Sequence, residues 1–144
     1  MSKIAGLKGR SPETYPSSGG SGLVSTTSES NGTPVDLTNS LTFLVPAFLS
    51  LPVGFRNIVL FSGVLENPSV GGAQVEVEII INGVMVYSIV VEVSSTNSPV
   101  PFGLAFETTG LPADSGIDIQ AKTVGVGQTA TAATGSAVVI STPS

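Results

Sequence analysis

The chain of 144 residues contains no histidine, no cysteine and no tryptophan, and only 10% of its residues are charged. Histidine and cysteine supply many of the proton carriers, nucleophiles and metal ligands in enzymes. Without histidine a Ser-His-Asp arrangement is excluded, and without cysteine there are neither disulfides nor thiolate metal sites. The missing tryptophan, with only two tyrosines, argues against an aromatic platform for sugars. No stretch reaches the roughly 20 apolar residues of a membrane helix. The start, Met1 to Lys8, holds no apolar run of signal-peptide length. The expectation is a protein made and assembled in the cytoplasm, without a membrane partner.

What is present is apolar and turn-rich: 41% hydrophobic residues, 17 glycines and 10 prolines, with a mean hydropathy of +0.43. The length suits a single domain able to bury its own core. The net charge of −5 is uneven. Residues 1–33 carry Lys3, Lys8 and Arg10 against Glu13 and Glu29, a net of +1, whereas residues 34–144 carry a net of −6. An acidic body lacks the clustered Lys and Arg that phosphate neutralisation requires, so nucleic acid is not an expected partner.

Composition divides the chain near residue 33. Residues 1–33 form an extended arm containing Ser11-Pro12, Tyr15-Pro16 and the run Ser17-Ser18-Gly19-Gly20-Ser21-Gly22. Such a segment buries too little apolar surface to fold alone. It is either a plain tail or an arm that orders against a partner. For arm docking the candidate residues are Lys3, Ile4, Leu7, Lys8, Arg10 and Tyr15.

Residues 34–144 read as strands separated by Gly, Pro and Asn. The expected strands are Leu41–Leu51, bent or at an edge because of Pro46, then Asn57–Leu65, Ala73–Ile81, Val84–Val93, Val100–Thr108, Ile117–Val126 and Gln128–Thr142. Regularly spaced short strands without helical periodicity predict an all-β fold, an antiparallel β-sandwich. The last strand is rich in small residues, which allows another backbone to approach closely. A neighbouring subunit and a plain surface strand both fit it.

Asn82-Gly83 predicts a two-residue type I′ hairpin turn. The implied register sets Ile81 opposite Val84, Ile79 opposite Val86, Val77 opposite Ser88 and Val75 opposite Val90, an apolar face for the core. The other face then carries Ile80, Met85, Tyr87 and Ile89 beside Glu76 and Glu78. Apolar residues on an outer face mark interfaces, so these four form the expected self-association face.

The remaining polar candidates point to no catalytic, cofactor or metal site. Glu76 and Glu78 lie two apart on one strand face and read as solvent-facing charges rather than an acid–base pair. Glu107, Asp114 and Asp118 flank a turn, but their spacing matches no calcium loop, and Asp and Ser in a Gly-containing turn are explained by turn chemistry.

The arm 1–33, the Asn82-Gly83 hairpin and the segment Thr108-Thr109-Gly110-Leu111-Pro112-Ala113-Asp114-Ser115-Gly116-Ile117 together resemble the jelly-roll structural proteins of virions. Among these the chain is most similar in architecture to the capsid decoration, or cement, proteins of tailed phages. The resemblance implies a non-enzymatic structural protein, a homo-oligomer with a trimer favoured, whose arm docks onto a capsid or other protein lattice. It also implies a virion location after assembly in the host cytoplasm. Two alternatives stand beside it. One is an extracellular surface or spore filament with the arm as donor strand; the other is a fibre-type receptor- or carbohydrate-binding module.

Overall fold

The structure, a computed structural model, describes residues 25–45, 49–51, 55–111 and 115–143. Ten strands and no helix occur among them: β1 Ser25–Asn31, β2 Val35–Leu37, β3 Thr42–Phe43, β4 Leu49–Leu51, β5 Phe55–Glu66, β6 Ala73–Ile81, β7 Val84–Val93, β8 Val100–Thr108, β9 Ser115–Thr123 and β10 Ala130–Pro143. They build two antiparallel five-stranded sheets, and the fold is an all-β sandwich. Sheet A runs β1-β10-β5-β8 with β2 also on β10, and sheet B runs β3-β9-β6-β7 with β4 also on β9.

The pairing is nested. β1 and β2 lie on β10, β3 and β4 on β9, β5 on β8, and β6 on β7. The chain therefore folds as one long hairpin rolled into two layers, with the β6–β7 turn at its tip. That turn is the Asn82-Gly83 step, whose residues have φ of 52° and 82°, the left-handed conformations a type I′ turn requires. Asn82 also fastens the turn to β9. Its side-chain amide donates to Ser115 Oγ at 3.1 Å, and its Oδ1 accepts from the Gly116 N–H at 3.2 Å.

Alternating side chains fill the space between the layers, as strand geometry dictates. Val59, Phe61 and Leu65 of β5 meet Val75, Val77 and Ile79 of β6 and Ile117 and Ile119 of β9, all at most 2% exposed. Each such burial contributes about 1.5–3 kcal/mol. One polar pair shares the interior: Ser141 Oγ donates to Asn57 Oδ1 at 2.6 Å, so these two buried groups are not left without a partner.

Two stretches of strand differ from expectation. Leu41–Leu51 is two short edge strands, β3 and β4, on either side of the Pro46 region. Ser25–Asn31, placed in the arm by composition, pairs along β10 for seven residues as β1. The sandwich thus begins ahead of the composition step, because Ser and Thr pair well once a neighbouring strand supplies the ladder.

The small-residue strand, β10, is an interior strand of its sheet, with one face toward the core and the other outward. It is central in sheet A between β1 and β5, with Ala130, Ala132 and Ala137 buried. At Gly135 a Cβ would lie 3.0 Å from the Phe61 ring and 3.2 Å from the Leu44 carbonyl oxygen. The close approach that small residues permit is used here inside the chain.

Candidate functional site

The β6–β7 hairpin keeps the expected pairing only next to its turn. Ile81 pairs with Val84 and Ile80 with Met85, but then Ile79 pairs with Tyr87, Val77 with Ile89 and Val75 with Val91. A β-bulge between Ile79 and Ile80 leaves Val86 as an extra residue on β7. Because side chains alternate with a period of two, one extra residue reverses the face of everything beyond it.

The predicted face of Ile80, Met85, Tyr87 and Ile89 is therefore split. Tyr87 and Ile89 lie across from the buried Ile79 and Val77, and Ile89 packs against the core. Ile80 and Met85 lie on the other side; Ile80 is 8% exposed and Met85 49%. What the hairpin presents instead is a strand. Val84, Met85, Val86, Tyr87 and Val90 are all exposed along β7, the terminal strand of sheet B.

Behind β7 the outer face of sheet B gathers polar groups. Glu76 pairs with Lys122, Glu78 with Gln120 and Ile80 with Asp118 across β6 and β9. Lys122 Nζ stands 4.0 Å from Glu76 Oε1. Glu78 corrects the expectation of two solvent-facing carboxylates, since it is only 7% exposed.

Burial raises the Glu78 pKa above its ordinary 4.5; the Glu76 charge and a side-chain hydrogen bond with Glu76 add to the rise, and Lys122 opposes it. Burial also raises Asp118. Gln120, Ser88 and Lys122 are their neighbours on this sheet face.

The carboxylates weighed as an ion site do not converge. Glu107, on β8 of sheet A, forms an ion pair with Arg56 at 3.0 Å. Asp118 is on β9 of sheet B, and Asp114 lies outside the described residues. No cluster of three or more potential metal ligands occurs among the described residues.

The outer face of sheet A has a different character. Leu60 and Ser62 of β5, Gly103 and Ala105 of β8, and Ser136 and Val138 of β10 line an open trough of about 440 Å³. It continues into a second of about 460 Å³ bounded by Val64, Pro101, Thr134 and Gly32. None of the residues lining either trough is charged.

The floor residue Gly103 is informative because the fold does not require it. Its φ is not left-handed, and a Cβ there would meet only the Phe61 carbonyl oxygen, at an ordinary 3.5 Å. A glycine inside a strand weakens it and leaves room for another backbone to approach closely. Gly103 and Ala105, two small residues on one strand face, are the sequence signal for this surface. That signal is weak by itself, because outward and inward positions look alike until the partner strands are known.

The arm residues Lys3, Ile4, Leu7, Lys8, Arg10 and Tyr15 lie outside the described residues. No protein-family model matches the chain, and no curated protein matches it.

Proposed function

We propose that the protein is a non-enzymatic structural subunit of a larger protein shell, of the capsid-decoration type, with a jelly-roll domain. The observation that carries this reading is the uncharged trough on sheet A with Gly103 at its floor. An open, apolar trough lined by small residues suits close contact with another protein better than capture of a small molecule, which calls for a more enclosed pocket. Interfaces are marked by the same depletion of charge at their centre.

The nested strand pairing supports the jelly-roll reading. Counting β1 with β2 and β3 with β4 as single interrupted strands, eight strands pair first with last, second with seventh, third with sixth and fourth with fifth. That is the arrangement of a jelly roll's two Greek keys. In this reading the trough faces the underlying lattice and the arm, residues 1–24, extends onto it.

The test is to tag the full chain, produce it in its source cells and sediment large particles. The wild-type chain is expected in the particle fraction. Deleting residues 1–24, or replacing Gly103→Leu to fill the trough, is expected to leave a folded protein in the supernatant. A wild-type chain that never sediments, or a Gly103→Leu chain that sediments like wild type, overturns the reading.

A further inference from the structure

The sandwich has four sheet edges among the described residues, and three of them are protected. The β3–β4 edge consists of strands of two and three residues. The β1–β2 edge is polar on β1 (STTSESN) and breaks before a three-residue β2. The β8 edge carries Pro101 and Glu107. Short strands, prolines and charges are the devices by which sheets avoid pairing with other chains.

The fourth edge, β7, has almost none of them. It is ten residues long and has no proline, and Val84 to Val91 contains no charge. Its one irregularity is the bulge at Val86, beyond which Tyr87–Val93 run in unbroken register against Ala73–Ile79. Seven residues of straight strand thus end the sheet, and no strand among the described residues pairs with their outer side.

We infer that β7 pairs with β7 of a second copy of this chain, antiparallel about a two-fold axis at Val90. The occupant follows from self-complementarity, since a two-fold contact brings one surface against itself. A dyad at Val90 sets Ile89 opposite Val91 of the partner subunit and Tyr87 opposite the partner's Val93, so inner face continues onto inner face. On the outer face the two Val90 side chains, 56% exposed in the single chain, cover one another. Ser88 meets the partner's Glu92, a hydroxyl donor against a carboxylate.

No like charges are opposed, and Glu92 is the only charged residue on the strand. The result is one sheet running through both subunits, of the kind formed by strand addition at an open edge. It assembles subunits in pairs, so a three-fold closure would need a different surface. The inference does not depend on what the trough on sheet A contacts.

The absence of cysteine makes the test direct. Residues paired across an antiparallel dyad have Cα atoms about 4.5–5.5 Å apart, within disulfide reach. The purified full chain is expected to sediment as a dimer. Val90→Cys is expected to form a disulfide-linked dimer nearly quantitatively on mild oxidation, and Val126→Cys, in an exposed loop, is not. Val90→Lys is expected to give a folded monomer with an unchanged β-sheet circular dichroism spectrum.

A wild-type monomer, or an oligomer in which the Val90→Cys variant does not cross-link, overturns the inference. So does a Val90→Lys chain that remains dimeric. A Val90→Cys dimer that cross-links but is absent from the particle fraction would count against the shell reading alone. The reverse pattern would count against the β7 pairing alone.

Discussion

Tyr87 of β7 stacks on Phe106 of β8, with ring centroids 5.7 Å apart and planes inclined by 29°. The two strands end different sheets, so the stack closes the seam between the layers where no strand joins them. Phe106 faces inward opposite Val59, and Tyr87 reaches it only because the bulge turns the Tyr87 side of β7 toward the core.

Breaking that stack should loosen the seam. An aromatic pair of this geometry contributes about 0.5–1.5 kcal/mol beyond the area it buries. A double-mutant cycle of Tyr87→Leu and Phe106→Leu, followed by urea denaturation, is expected to give a coupling energy of about that size. Additive single effects would show that the rings are neighbours without a stabilising contact.

Two glycines in the paired strands β5 and β8 should respond oppositely to a methyl group. At Gly63 a Cβ would lie 2.7 Å from the Thr134 carbonyl oxygen and 3.0 Å from the Phe102 ring, so Gly63→Ala is expected to destabilise by about 1–3 kcal/mol through overpacking. At Gly103 the space is open, and Gly103→Ala is expected to be neutral or to stabilise by up to about 1 kcal/mol through reduced backbone entropy. Denaturation midpoints of the two variants check the contrast; similar losses at both sites would mean that the trough floor is packed.

The carboxyl proton of Glu78 makes stability depend on pH. The folded chain holds this proton to a higher pH than the unfolded chain does, because burial and Glu76 raise its pKa above 4.5. Its stabilising effect is therefore complete below about pH 4.5 and is lost as pH rises through the elevated value. Wild-type Tm is expected to fall across that window. Glu78→Gln removes the ionisation, so its profile should be flatter and its Tm at pH 7 higher than wild type. A small residual slope of the same sign comes from Asp118, also raised by burial. A Glu78→Gln variant less stable than wild type at pH 7 would mean that the ionised carboxylate, rather than the protonated one, is what the sheet face accommodates.

Much of the fold was legible where the causes are local. Ala73–Ile81, Val84–Val93 and Val100–Thr108 coincide with β6, β7 and β8, since β-branched runs bounded by Asn-Gly, Ser-Pro and Gly-Leu-Pro leave little choice. The Asn82-Gly83 turn was fixed by the two positive φ values it needs. β1 was not legible, because its Ser/Thr/Glu/Asn composition pairs as a strand only when β10 lies beside it. The face of Tyr87 was not legible either, because it depends on the bulge at Val86, which no turn or composition signal in the chain marks.

Local chemistry was enough to set the class of the protein: an uninterrupted series of short strands, turns placed by Asn, Gly and Pro, and a residue inventory without histidine, cysteine or tryptophan. Those properties depend on side-chain chemistry and on φ preferences within a few residues. Which surfaces are exposed was settled only by the packing of the whole chain. The nesting of first strand on last put Ala130, Ala132 and Ala137 of β10 inside the molecule and left Gly103 on an open face. One extra residue in β7 redirected its side chains, and the order of strands made β7 an edge. Exposure is set by which strands become neighbours, and those contacts join residues too far apart in the chain for local pattern to reveal them.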